Sequence, residues 1–163
     1  MTSYDVIKDK FIKRLRGDKK FMSYTGVSNE DIEQLVQDHF LDLLNQSVDE
    51  IYKYDESPQI DFYDKDDASS QFNVELNPRE IRLLVDISYV RYFDEDRNRL
   101  HEFMITFKNS ELNVLSPANE RNSFLGMVND MESKVIDDII KYLSTNRTNG
   151  KLKTSQTQIE LRW

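Results

Sequence analysis

The chain has 163 residues, 38% of them hydrophobic and 11% aromatic, enough for a single domain with a packed core. It contains no cysteine, which excludes disulfides and thiolate metal centres, and no apolar run near the ~20 residues that a membrane span needs. The net charge of −8 is the wrong sign for a protein that grips duplex DNA, whose affinity comes mostly from neutralised phosphates, but it suits a wall past which DNA slides.

The first fifteen residues, MTSYDVIKDKFIKRL, carry charges where a secretory signal would be apolar, so synthesis in a cytoplasm is expected. Ile7, Phe11, Ile12 and Leu15 recur at helical spacing over residues 5–15, with Lys and Arg on the other face and Gly17 as the stop. Residues 8–20 hold seven basic and two acidic side chains, a local +5 that leaves −13 for the remainder. A basic amphipathic helix can lie on a membrane or on nucleic acid; one this short with a compact apolar face reads as a first helix docked on the core.

Ser28 and Asp31 resemble a capping box, and Ile32, Leu35, Val36, Phe40, Leu43, Leu44, Val48, Ile51 and Tyr52 follow in a three-four rhythm. A helix over residues 29–54 is predicted. His39 borders that stripe with no second histidine three or four positions away, which makes it a boundary residue and not a metal ligand.

The connection that follows packs Asp64, Asp66 and Asp67 into four positions. Read as a calcium loop from Asp64, it has acids at the first and third places and Glu75 at the twelfth. It puts Ala68 at the fifth and Ser69 where the turn needs glycine, so the motif fails and the segment reads as a solvated, partly ordered acidic loop. A helix start comes next: Asn77 as N-cap, Pro78 at the first helical position, Glu80 at the third.

That third helix carries Ile81, Leu84, Val85, Ile87, Tyr89, Val90, Tyr92 and Phe93, apolar on so many sides that burial against more than one neighbour is expected. The polar run DEDRNR at residues 94–99 is predicted to break or expose it. Leu100, Phe103, Met104 and Phe107 resume on a further helix, with a strand as the alternative for FMITF.

Ser116 and Pro117 start the last long helix, whose apolar face includes Phe124, Leu125, Val128, Met131, Val135, Ile139 and Tyr142, and Asn149 with Gly150 is expected to close it. Beyond, Thr157, Ile159, Leu161 and Trp163 alternate with polar residues at a period of two. The expectation is a mainly α protein: a bundle of four to five helices with long loops over residues 1–146, and an extended, β-competent tail over residues 147–163 whose Ile159, Leu161 and Trp163 form a partner-binding face.

No nucleophile elbow or phosphate-binding glycine loop is present, the four glycines stand singly, and His101-Glu102 lacks the second histidine of a zinc-protease helix. A non-enzymatic protein without cofactor or metal is the expectation.

Residues 72–93, FNVELNPREIRLLVDISYVRYF, followed by LSPAN at 115–119 and a long final helix, resemble the head-to-tail connector (adaptor, or head-completion) proteins of tailed bacteriophages. The likeness lies in Phe72 and Leu76 leading into Glu80, Ile81 and Leu84, and in Ser116, Ala118 and Asn119 opening the last helix, and it spans residues 32–143. It implies a virion structural protein of the neck that forms a ring, commonly of twelve copies, between the portal and a tail or tail-terminator protein. Genomic DNA would pass through the lumen without sequence-specific binding. Two readings from other classes compete: a helical regulatory adaptor binding one protein partner through the tail, and a nucleic-acid module using residues 8–20, which requires a steep salt dependence.

Overall fold

A computed structural model describes residues 1–15, 21, 28–56, 58–106 and 118–153. The protein is mainly helical. In chain order it runs β1 (Thr2–Ser3), α1 (Tyr4–Arg14), α2 (Asn29–Tyr52), β2 (Lys65–Asp66), β3 (Gln71–Phe72), α3 (Pro78–Thr106) and α4 (Ala118–Leu143). The middle helix is the axis of the bundle: α1, α2 and α4 each pack against α3.

The starts of α1, α2 and α3 follow the sequence closely because each has a side chain to receive its free N–H groups. Ser3 Oγ accepts from Asp5 N at α1, and Ser28 Oγ accepts from Asp31 N while donating to the Asp31 carboxylate at 2.6 Å. At α3 the capping box is reciprocal. Asn77 Oδ1 accepts from Arg79 N and Glu80 N at 2.9 and 3.0 Å, and Glu80 Oε2 accepts from Asn77 N at 2.7 Å.

From Ile81 to Val90 only Tyr89 and Arg82 escape burial, and Asp86 and Ser88 are buried with their apolar neighbours. Three helices of the same chain cover this all-round surface. Where α2 crosses α3, Ser47 and Ser88, both fully buried, share a hydrogen bond at 2.8 Å, and Ser47 also donates to Leu43 O. Aromatic rings fill the space around α1: Phe11 meets Phe21, Phe40 and Tyr92 with centroids 5.2, 5.8 and 6.4 Å apart.

Several expectations are corrected. The polar run at residues 94–99 does not break α3 but does expose it at Asn98 and Arg99; the helix continues through FMIT to Thr106, and the strand alternative is not adopted. The second helix ends at Tyr52, two residues early, and Leu35 of its stripe is exposed. The last helix stops at Leu143, where Thr145 turns its hydroxyl back to Lys141 O. Asn149 and Gly150 instead belong to a turn in which Gly150, at φ +68°, donates to Asn146 O at 2.9 Å, and Thr145 bridges Leu152. Phe107, Ser116 and Pro117 lie outside the described residues.

A three-stranded antiparallel sheet, order β1-β3-β2, had no signal in the sequence. Thr2 pairs with Phe72 and Ser3 with Gln71 on one side, and Lys65 with Phe72 and Asp66 with Gln71 on the other. It ties the N-terminus to the acidic connection, helped by Thr2 Oγ1 accepting from Leu76 N at 2.8 Å and by the Tyr4 and Phe72 rings at 5.2 Å.

Candidate functional site

At one end of the bundle the first turn of α3 is clasped to the chain beyond α4. The Glu80 carboxylate is fully buried, and besides capping it accepts from Tyr142 Oη at 3.1 Å and from Arg147 at 2.7 and 3.1 Å. Arg147 also donates to Glu75 O, and Gln59 bridges the backbone of Thr145 and Arg147. Burial, then the neighbouring Glu80 charge, pushes the Tyr142 hydroxyl well above the usual phenol range, so it stays a donor. Four polar groups thus satisfy one carboxylate, and the clasp holds the first turn of α3 to the chain beyond α4.

The acidic connection uses its carboxylates locally. Asp61 accepts from Tyr52 Oη at 2.7 Å, Asp64 from Asn73 at 2.7 Å, Asp66 from Ala68 N and Ser69, and Asp67 from Tyr4 Oη at 2.7 Å and Lys65 at 3.0 Å. They diverge toward separate donors, and among the described residues no three potential ligands converge on a point. The Tyr4 hydroxyl, then Lys65, holds the Asp67 carboxyl below its ordinary range.

The described part of the basic segment is docked on the core. Lys8 reaches Gln37 and Asp5, and Arg14 lies over the Tyr89 ring at 4.5 Å while pairing with the buried Asp86. Residues 16–20 lie outside the described residues. His39 Nε2 lies 2.9 and 3.1 Å from the Glu95 oxygens, with Phe21 and Tyr92 against its ring, and joins α2 to α3.

The second half of α3 departs from the rest. Charges hold its root: Arg91 joins Glu50 of α2 to Asp94, and Arg97 joins Asp94 at 2.9 Å to Glu132 of α4 at 2.8 Å. Burial pushes the Asp94 carboxyl up, against the pull of Arg97 and Arg91. Past this relay, α3 and the start of α4 run antiparallel as a two-helix arm, with Phe93 and Phe124 rings 6.5 Å apart. His101, Glu102, Phe103, Met104 and Ile105 are all exposed, Ile105 at 86% and Phe103 at 51%, as is Met127 opposite. Between the helices lies an open groove of about 390 Å³ with Leu100, Phe103 and Phe124 lining it and Asp96, Arg99, Glu120 and Arg121 at its edges.

The sequence placed Leu100, Phe103 and Met104 on a resumed helix and Phe124 on the apolar face of the last one. The structure leaves Phe103 and Met104 exposed and Leu100 and Phe124 half-buried. The predicted partner-binding residues Ile159, Leu161 and Trp163 lie outside the described residues. Among the described residues, no helix is long and apolar enough to cross a membrane. Compared with protein-family models, curated proteins and solved structures, the chain gives no match.

Proposed function

We propose that the chain is a structural protein of a tailed-phage neck, an adaptor that forms a ring between the portal and the tail and lines the DNA channel without catalysing a reaction. The observation that carries this reading is the arm. The apolar surplus of α3 between residues 81 and 90 is consumed within the chain, so it supports no neighbour. The arm, by contrast, presents Phe103, Met104, Ile105 and Met127 to solvent beyond a core that is already complete. Exposed apolar groups gathered on one element mark a contact surface more often than a solvent face.

The resemblance at residues 72–93 supplies the identity of the assembly, and the net charge of −8 suits a channel wall. The same like-charge load opposes self-association in solution, so copies gather where the portal contributes further contacts. The test is negative-stain microscopy of the purified protein with its portal. Rings or portal decoration are the expected result. A complex that saturates at one copy per partner, with no ring, would instead establish the regulatory-adaptor reading.

A further inference from the structure

The groove of the arm has a mixed chemistry: Leu100, Phe103 and Phe124 supply its apolar lining, and Asp96, Arg99, Glu120 and the buried Arg121 supply charges of both signs. The chain contains one segment of matching pattern. Ile159, Leu161 and Trp163 share a face at a period of two, and the residues between them, Glu160 and Arg162, also carry one charge of each sign. We infer that this groove is the docking site for residues 157–163 of a second copy of the chain. The assignment rests on the ring-forming reading above and gives it a contact.

Reach decides between the chain's own segment and a neighbour's. Lys153 N donates to Ser144 O at 2.7 Å, so the segment departs level with the end of α4. Phe124 is twenty residues back along that helix, ~30 Å at a rise of 1.5 Å per residue. Fully extended, at no more than ~3.6 Å per residue, Ile159 gets ~22 Å from Lys153 and Leu161 ~29 Å. Ile159 falls short of its own groove and Leu161 only just comes level with Phe124 at full stretch, while Trp163, at up to ~36 Å, reaches that level only as a straight strand laid along α4. A neighbouring copy has no such limit. Because the root of the donor segment, at Lys153, and the acceptor groove lie at opposite ends of α4, the contact is head-to-tail, the type that propagates around a closed ring. Main-chain alternation supplies direction, and Trp163 supplies the anchor.

The natural absence of cysteine makes a direct test available. Full-length Leu100→Cys and Leu161→Cys variants are mixed under mild oxidation without portal, beside a control mixture of Lys53→Cys with Leu161→Cys. The disulfide requires the two Cα atoms within ~7 Å, so it reports this contact alone. The expected outcome is a mixed dimer forming about tenfold faster than the control, from the raised local concentration. Equal rates overturn the inference, as does rapid closure within a single chain carrying both Leu100→Cys and Leu161→Cys. The neck reading is scored separately by portal decoration: decoration without preferential cross-linking removes only the groove assignment. Cross-linking without decoration keeps the groove and removes the neck.

Discussion

The two halves of α3 share one unbroken helix and differ in almost everything else. Over residues 80–90 its polar groups apart from Arg82 and Tyr89 are buried and matched, Glu80 to Tyr142 and Arg147, Ser88 to Ser47, Asp86 to Arg14. Past the Arg97 relay, aromatic and aliphatic groups face water and the ionic contacts within the helix, such as Arg99 with Asp96 at 3.4 Å, are exposed. The first half is built to have one conformation, while the second is built to be met by something else. Exposed ion pairs contribute little, about 0–1 kcal/mol, so the arm is held mainly by its root.

The contrast can be broken most sharply at the clasp. Replacing Glu80 by Ala strands Arg147, Tyr142 Oη and the Asn77 N–H together, and a loss of about 3–5 kcal/mol is expected in denaturant unfolding. Glu80→Gln keeps one accepting oxygen for the Asn77 N–H but turns its NH2 toward Tyr142 Oη and Arg147 Nε, so it should lose less than Ala while still destabilising. If the two variants unfold alike, the cap contributes nothing.

Next in size is a matched pair of truncations. Leu84→Ala, at a fully buried position, is expected to cost about 2–5 kcal/mol, whereas Met104→Ala on the arm should stay within ~0.5 kcal/mol. Comparable losses at the two sites would show that the arm packs as a core.

Gly126 lies inside α4 on the arm, and a methyl group added there meets nothing within 4 Å. Gly126→Ala should stabilise the arm by about 0.5–1 kcal/mol, seen as slower amide exchange over residues 118–127 with little change at the base. Faster exchange there would mean the arm relies on the glycine.

The smallest effect is a pH dependence with opposite signs at the two ends. The Asp67 carboxyl titrates below its ordinary value because of Tyr4 and Lys65, so its stabilisation is present above about pH 4 and is lost as pH falls through the lowered folded value. Asp94 is raised by burial, so ionising it at neutral pH opposes folding and acidification relieves that cost. Unfolding midpoints of Tyr4→Phe should therefore fall less steeply below pH 4 than those of the parent protein. An unchanged acid limb would remove Asp67 from the account.

Much of this was legible in the sequence, for local reasons. The α2 stripe, the Ser28 cap and the Asn77–Glu80 box are written in residues three or four apart, the distance over which a helix is specified. The continuation of α3 was hidden because DEDRNR reads as polar run. Yet Arg91, Asp94 and Arg97, and Glu95 with Arg99, stand at helical ion-pair spacing, a signal that would have carried the helix through. The sheet was invisible for the opposite reason: its strands are two residues long, too short for alternation, and they join residue 2 to residue 72. Arg147 gave no sign of its bond to Glu80, since nothing local distinguishes one arginine in a polar stretch. Periodicity also put Phe103 on a resumed helix and Phe124 on an apolar face; it reports that a face is apolar and is silent on whether the same chain covers it.

Ser47 and Ser88 settle a question that the surrounding leucines and valines leave open. Long smooth helices can ratchet past one another by a turn, ~5.4 Å, and find nearly equivalent apolar contacts. Here such a slip would break the 2.8 Å bond between two buried hydroxyls, and while Ser47 keeps its bond to Leu43 O, Ser88 loses its cross-helix partner at about 1–3 kcal/mol. The pair works as a detent: it adds little adhesion between α2 and α3, and it selects a single notch at which they come to rest.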